Sequence, residues 1–300
     1  MLRPVLLVVV GSLLATSLFA QAAAAPKIDF PAASPAATVK QRVGLTDVEI
    51  SYSRPSMKGR TIFGGLVPYD QVWRTGANTA TNITFSTAVK LNGTTVPAGK
   101  YELFSIPGKT EWTVIIHKDM SQWGAYTYDA KNDVARVKVT PVTYPVSVES
   151  FAIGLADLRD ESATLYLLWD KTRVPVKLEV EVASIIVPQI EAAMAGEGKK
   201  PYGQAAIFYL EHNLDLKKAA AWMDISIAEN PKFAFYSTYH KARILAKMGD
   251  TAGAIAAARK SIELASKEVG SVKDEYIRLN EALIASVSAP ANAKVKIETP

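Results

Sequence analysis

Arg54, Lys58, Arg60 and Arg74 fall within one stretch, Ser51 to Asn78, whose only acid is Asp70. Guanidinium forks and a lysine gathered on a folded loop are a means of holding a carboxylate, sulfate or phosphate, because each fork offers parallel N–H donors to paired oxygens. Gly59, Gly64, Gly65 and Gly76 lie among them, and glycine turns leave backbone amides free to join such a cradle. Trp73 and Asn78 in the same stretch, with Trp112, Trp123 and Tyr126 further along, add flat faces and polar tips suited to a sugar or an apolar ligand. The candidate ligand-binding set is therefore Arg54, Lys58, Arg60, Trp73, Arg74, Asn78 and Trp123. A structural reading competes with it, because buried charges are normally paired. In that reading Arg54 and Arg74 tie the loop to carbonyls or to Asp70, Glu102 and Asp119, and the tryptophans fill a core.

No residue is assigned a catalytic role. Ser56 and Lys58 are two apart and would share a face of an extended chain, where a lysine of lowered pKa could activate the serine hydroxyl. A hydrolase using this pair is the enzymatic alternative, but no third residue orients it, and a turn at Ser56 beside a solvated Lys58 explains the same letters. The three histidines, His117, His212 and His240, are scattered over a strand and two helices, which argues against a multi-histidine metal site. Asp157, Asp160, Glu161 and Asp170 lack the spacing of a calcium loop, and Asp160 and Glu161 read as a hairpin turn. Cysteine is absent, so thiolate metal sites, thiol nucleophiles and disulfides are excluded. Neither a metal nor a cofactor is expected.

The elements that must position these residues divide the chain in two. From Thr38 to about residue 184, short runs with period-two alternation follow one another. They begin with "TVKQRVGLTDVEISYS" and continue through "TNITFSTAVKL", "GKYELFSIPG", "EWTVIIHK", "VARVKVTPV", "SVESFAIGLADL", "ATLYLLWD" and "RVPVKLEVEV". Turn chemistry separates them at Asn92-Gly93, Pro107-Gly108 and Asp160-Glu161-Ser162. Eight or nine strands without an intervening helical period predict an antiparallel β sandwich or jelly roll over 38–184, with a barrel as the alternative. Ser51 to Asn78 is then a connection far longer than the other turns. Ile62, Phe63, Leu66, Val67, Tyr69, Val72 and Trp73 give it too much apolar surface to remain in water, so it packs.

From 185 to 286 the period becomes helical. Asp215 caps a helix carrying Leu216, Ala219, Ala220, Met223 and Ile227 on one face, and Asn230-Pro231 ends it. Aligning Asp215 with Asp250 also aligns Ala219 with Ala254, Ser226 with Ser261 and Ile227 with Ile262. That offset lies next to the 34-residue period of tetratricopeptide helix pairs, and "KMGDTAGAIAAARKSIEL" resembles the loop and second helix of such a repeat. An all-α, tetratricopeptide-like region is predicted here. Helix pairs of this kind make concave surfaces for protein partners. Phe233, Phe235, Tyr236 and Tyr239 are its candidate anchors, although the spacing of Phe235, Tyr239 and Ala242 is equally that of a core.

Arg3, the apolar run after it and the small residues at Ala20 to Ala22 read as a signal peptide over 1–22. A Pro/Ala/Ser-rich leader occupies 23–37 and a flexible tail 287–300. Export to the periplasm or beyond, with no lipoprotein cysteine and no membrane span after cleavage, is expected; an uncleaved anchor is the alternative. The formal net charge of +5 is mild and forms no basic run, so nucleic acid is not an expected partner.

Several separated motifs carry a resemblance. "YSRPSMKGRTIFGGLVPYDQVWRTGANTAT", "VPAGKYELFSIPG", "EWTVIIHKD" and "QWGAY" together resemble domain-of-unknown-function family twenty-nine-eleven, over about Thr38 to Val182. The resemblance implies an exported bacterial protein whose domain can precede helical repeats; it implies no reaction and no catalytic residue. The functional expectation is a non-enzymatic binding or interaction module of the cell envelope. Its sheet region would take a small anionic or carbohydrate ligand, and its helical region another envelope protein. A structural envelope component without a ligand is the alternative.

Overall fold

The structure, a computed structural model, describes residues 29–120 and 122–289. The signal sequence expected at 1–22 lies outside the described residues, as does most of the expected tail. Ten strands form two sheets, and every ladder between them is antiparallel. The larger has the order β1-β2-β3-β6-β7-β8, from β1 (Ala36–Val43), β2 (Thr46–Ser53), β3 (Thr81–Phe85), β6 (Gly99–Ile106), β7 (Trp112–His117) and β8 (Asp133–Val139). The smaller has the order β5-β4-β10-β9, from β4 (Val89–Leu91), β5 (Thr94–Val96), β9 (Val142–Ala156) and β10 (Ser162–Val180).

Alternation explains how the sheets meet. Val48, Ile50 and Tyr52 of β2 are buried while Asp47, Glu49 and Ser51 are less so. The same period on β10 buries Leu165, Leu167, Trp169, Val174, Val176 and Leu178. Both sets belong to one apolar cluster between the sheets, as period-two patterning requires. Strand β6 departs from alternation, with five consecutive buried residues. Its outer face is covered as well: Phe104 and Ile115 pack there with Ala80, Val72 and Tyr128 from loops.

Three readings of the strands change. "TNITFSTAVKL" is two strands in different sheets, because the chain leaves β3 at Ser86 and enters β4 at Val89. "ATLYLLWD" and "RVPVKLEVEV" are one strand, since the polar letters between them form a bulge around Asp170, whose φ is 50°. "TVKQRVGLTDVEISYS" is a hairpin turning at Gly44. That turn is tight: at φ 54° a Cβ would stand 2.4 Å from the Asp160 carbonyl and 2.6 Å from Val182.

Among the described residues six α-helices follow: α1 (Ala183–Ala195), α2 (Tyr202–Glu211), α3 (Leu216–Glu229), α4 (Ala234–Lys247), α5 (Thr251–Ala265) and α6 (Ser271–Ser288). Helix α6 thus reaches two residues into the segment read as tail. Asp215 and Asp250 cap α3 and α5, accepting from the Lys218 and Gly253 amides at 3.0 and 2.8 Å. Helix α1 has no cap of its own; Glu161, from the β9–β10 turn, accepts from the Val182 and Ala183 amides at 3.1 and 2.8 Å. This carboxylate also suits the positive end of the helix dipole. Ile186 and Phe208 rest on the sheet core, so helices and sheets are joined by packing as well as by chain. No helix among the described residues is long and apolar enough to cross a membrane.

Candidate functional site

The connection from Ser51 to Asn78 stitches the two sheets together. Its first part pairs with β9: Met57 donates to the Glu149 carbonyl at 2.8 Å, Phe151 donates to the Pro55 carbonyl at 2.9 Å, and Ser56 bridges Ser150. Its last part pairs with β6, where Trp73 and Ser105 exchange backbone bonds of 2.7 and 2.9 Å. Between these stitches the loop buries Ile62, Val67 and Trp73 and wedges Phe63 against Trp73, Trp112 and Trp169. Trp73 stacks on Trp169 with centroids 6.0 Å apart. The expectation of a packed loop therefore holds on each of these contacts.

The backbone is forced where it leaves Trp73. Thr75 has φ 53°, a left-handed conformation that a β-branched residue rarely adopts. Its surroundings fix it there: it is fully buried, its Oγ1 lies 2.9 Å from Ser105 Oγ, and its carbonyl accepts from Thr81 Oγ1 at 2.6 Å. Strain of about 1–3 kcal/mol held in this way is common at ligand sites. The forced turn puts Arg74 and Asn78 on the same cleft.

That cleft has a volume of about 420 Å³. Of the predicted set it brings together Arg60, Trp73, Arg74 and Asn78, and no acid among the described residues lines it. Arg60 is anchored by the Met57 and Ser56 carbonyls at 2.9 and 2.6 Å, and Asn78 by Ser53 Oγ at 3.2 Å. Arg74 differs: its Nε is buried without a hydrogen-bond partner, although a buried donor left unmade costs about 1–3 kcal/mol. Arg54, Lys58 and Trp123 do not line this cleft. Arg54 donates to the Phe151 carbonyl at 2.9 Å and so ties β2 to β9, while Lys58 is an exposed turn residue with φ 48°. Trp123 is 64% exposed and sits across a bridge from Thr79, next to the cleft wall. Trp112, by contrast, is 2% exposed and belongs to the core.

The other candidates have structural occupations. Ser56 Oγ pairs with Ser150 Oγ at 2.9 Å, and no hydrogen bond joins it to Lys58. Asp170 accepts from Ser147 at 2.6 Å, Glu161 caps α1, and Asp157 stands 3.9 Å from Arg173. Among the described residues no cluster of three or more His, Asp or Glu side chains could hold a metal ion.

Residues 34–178 match the model of a family described as protein of unknown function (DUF2911). The match supports the resemblance carried by the loop motifs, and it ends before the helical region begins. No curated protein and no solved structure matches the chain.

One polar cluster was not read from the sequence. His117, buried on β7, has its Nδ1 3.0 Å from Asp133 Oδ1, while Asp133 Oδ2 accepts from Tyr128 and Arg136, each at 2.7 Å. Burial and the bond to Asp133 push the Tyr128 hydroxyl up to about 12. The cluster fastens the loop after β7 onto the outer sheet face beside Phe104. Its sequence signal is faint: His117 and Asp133 become neighbours only through the β7–β8 register.

Proposed function

We propose that this is an exported, non-enzymatic binding module whose jelly-roll-like sheet region takes a small carboxylate-bearing or other oxyanionic ligand into the cleft between Arg60, Arg74 and Asn78. The observation that carries this reading is a cleft lined by Arg60 and Arg74 with, among the described residues, no acid in its lining. A guanidinium lining a cleft suits a paired-oxygen acceptor, and a preformed concave site spends little on ordering when it binds. The helical region supports a second contact. Its tetratricopeptide-like pairs leave a cleft of about 540 Å³ beside the half-exposed Phe233 and Tyr236, which suits a protein partner from the envelope.

Isothermal titration of the full chain with acetate, glucuronate, sulfate, phosphate and neutral glucose tests the anion site. At least one oxyanion is expected to bind and glucose not to. A ligand at a hundredfold its Kd adds about 2.7 kcal/mol of stability, which raises the melting temperature by several degrees. Arg74→Ala is expected to abolish this shift while the unliganded protein melts within a few degrees of wild type. Oxyanion binding that survives Arg74→Ala would remove the reading.

A further inference from the structure

Two of the most exposed aromatic rings of the sheet region stand beside the cleft. Trp123 is 64% exposed and Tyr126 is 82% exposed, although large aromatic rings usually gain free energy by leaving water. Their turn is bonded directly to the segment that forms the cleft wall. Gly124 donates to the Asn78 carbonyl at 3.1 Å, Ala80 donates to the Gln122 carbonyl at 3.0 Å, and Thr79 bridges Trp123. Tyr126 does not hang free. Its ring lies against Gly124, where a Cβ would come within 2.6 Å of the ring carbons, and Gly124 adopts φ 72°. The ring thus touches the backbone at Gly124 and is otherwise open to solvent.

An exposed aromatic ring suits a pyranose, whose axial C–H groups form a flat apolar side, while its hydroxyls stay hydrated. Arginines without an acid partner among the described residues suit a carboxylate. We propose that the occupant is an acidic saccharide of more than one residue: a uronate carboxylate meets Arg74 and Arg60 in the cleft, and a neighbouring sugar ring lies on Trp123 or Tyr126. This inference rests on the anion reading of the cleft. It adds the ligand's chemical class and a second subsite, formed by residues that do not line the cleft.

The test compares glucuronate, a uronate tetrasaccharide, a neutral tetrasaccharide and inorganic phosphate by calorimetry on the full chain. The tetrauronate is expected to bind about tenfold tighter than the monomer, the scale of one aromatic stacking contact. Trp123→Ala together with Tyr126→Ala is expected to erase that gain and leave monomer affinity unchanged, since both rings are exposed and neither lines the cleft. Arg74→Ala is expected to lose monomer and tetramer alike. Should it fail to fold, Arg74→Lys keeps the charge, loses the fork, and is expected to weaken both. Equal affinities for monomer and tetramer, or a tetramer gain that survives loss of both rings, overturn the saccharide inference and leave the anion site standing. Phosphate binding tighter than every uronate does the same. Binding of the neutral tetrasaccharide as tight as that of the tetrauronate, or uronate binding indifferent to Arg74, overturns both readings.

Discussion

The sheet region and the helical region fill their interiors with different mixtures of side chains. Between the sheets the fully buried side chains are large: Trp112, Trp169, Phe85 and Phe151. Between the helices alanine predominates: Ala206, Ala219, Ala242, Ala254, Ala258 and Ala265 are each 0% exposed, with Met223 and Ile244 the large side chains among them. Sheets packed face to face stand about 10 Å apart and need bulky residues to meet across the gap. Helices can instead approach until backbones nearly touch, provided that the seam carries little more than methyl groups. The difference shows where a rigid site can be built. Interlocked rings hold Trp73 and Phe63 from several directions, and the strained turn at Thr75 is held on that foundation.

The largest effect should come from removing a piece of that foundation. Trp169→Ala deletes a ring that touches Trp73, Phe63 and Phe151 and leaves a cavity that stiff strands cannot close, at a cost of about 3–5 kcal/mol. Urea unfolding followed by tryptophan fluorescence measures it. A loss below about 1 kcal/mol would mean that the rings are not the main support of the loop.

Acid separates the two regions further. His117 lies against the Asp133 carboxylate, whereas buried His240 has Arg243 Nη1 3.3 Å from its Nδ1 and the rings of Tyr236 and Tyr239 around it. Burial first, and the Arg243 charge second, hold His240 down to about 4, from an ordinary 6.5. Between those two values the unfolded chain binds a proton that the folded chain refuses. Stability of the helical region therefore falls as pH drops from 6.5 towards 4, by roughly 2 to 3 kcal/mol between pH 7.5 and 4.5. His240→Gln is expected to flatten this slope in urea midpoints followed by far-ultraviolet circular dichroism. An unchanged slope in the variant would place the acid sensitivity elsewhere.

Enlarging a seam residue tests the helical side of the comparison directly. Ala258→Leu forces α5 away from its neighbours and is expected to cost about 1–3 kcal/mol. A neutral outcome, read from the shift in the urea midpoint, would show that the seam is looser than its burial implies.

How much of this was legible beforehand depended on the range of the cause. Alternation along β2 and the Asn92-Gly93 hairpin, whose φ values are 44° and 82°, are local, and the sequence shows them. The bulge at Asp170 is local too, but its letters are those of a turn, and only pairing with β9 keeps the strand going. Arg54 and Arg74 could not be told apart in the sequence. One reaches the Phe151 carbonyl, while the Nε of the other reaches nothing, and that contrast depends on strand β9, about a hundred residues away. Glu161 likewise reads as part of a turn until α1 arrives above it.

The smallest predicted effect concerns the one long-range likeness that the sequence does display, the shared pattern of α3 and α5. Asp215 and Asp250 make the same bond, from carboxylate to the amide three residues on. Ser226 and Ser261, aligned with each other, are both buried against α4: Ser226 faces Ser237 at 3.5 Å, and Ser261 donates to the Phe235 carbonyl at 2.7 Å. If the two helices are equivalent units, Asp215→Ala and Asp250→Ala should each cost about 1 kcal/mol, the usual worth of an N-cap. The double variant should cost their sum, because the caps share no partner. Urea midpoints of the three variants check this. A loss confined to one cap would mean that α3 and α5 match in pattern only, with one of them held by its neighbours strongly enough to make its cap dispensable.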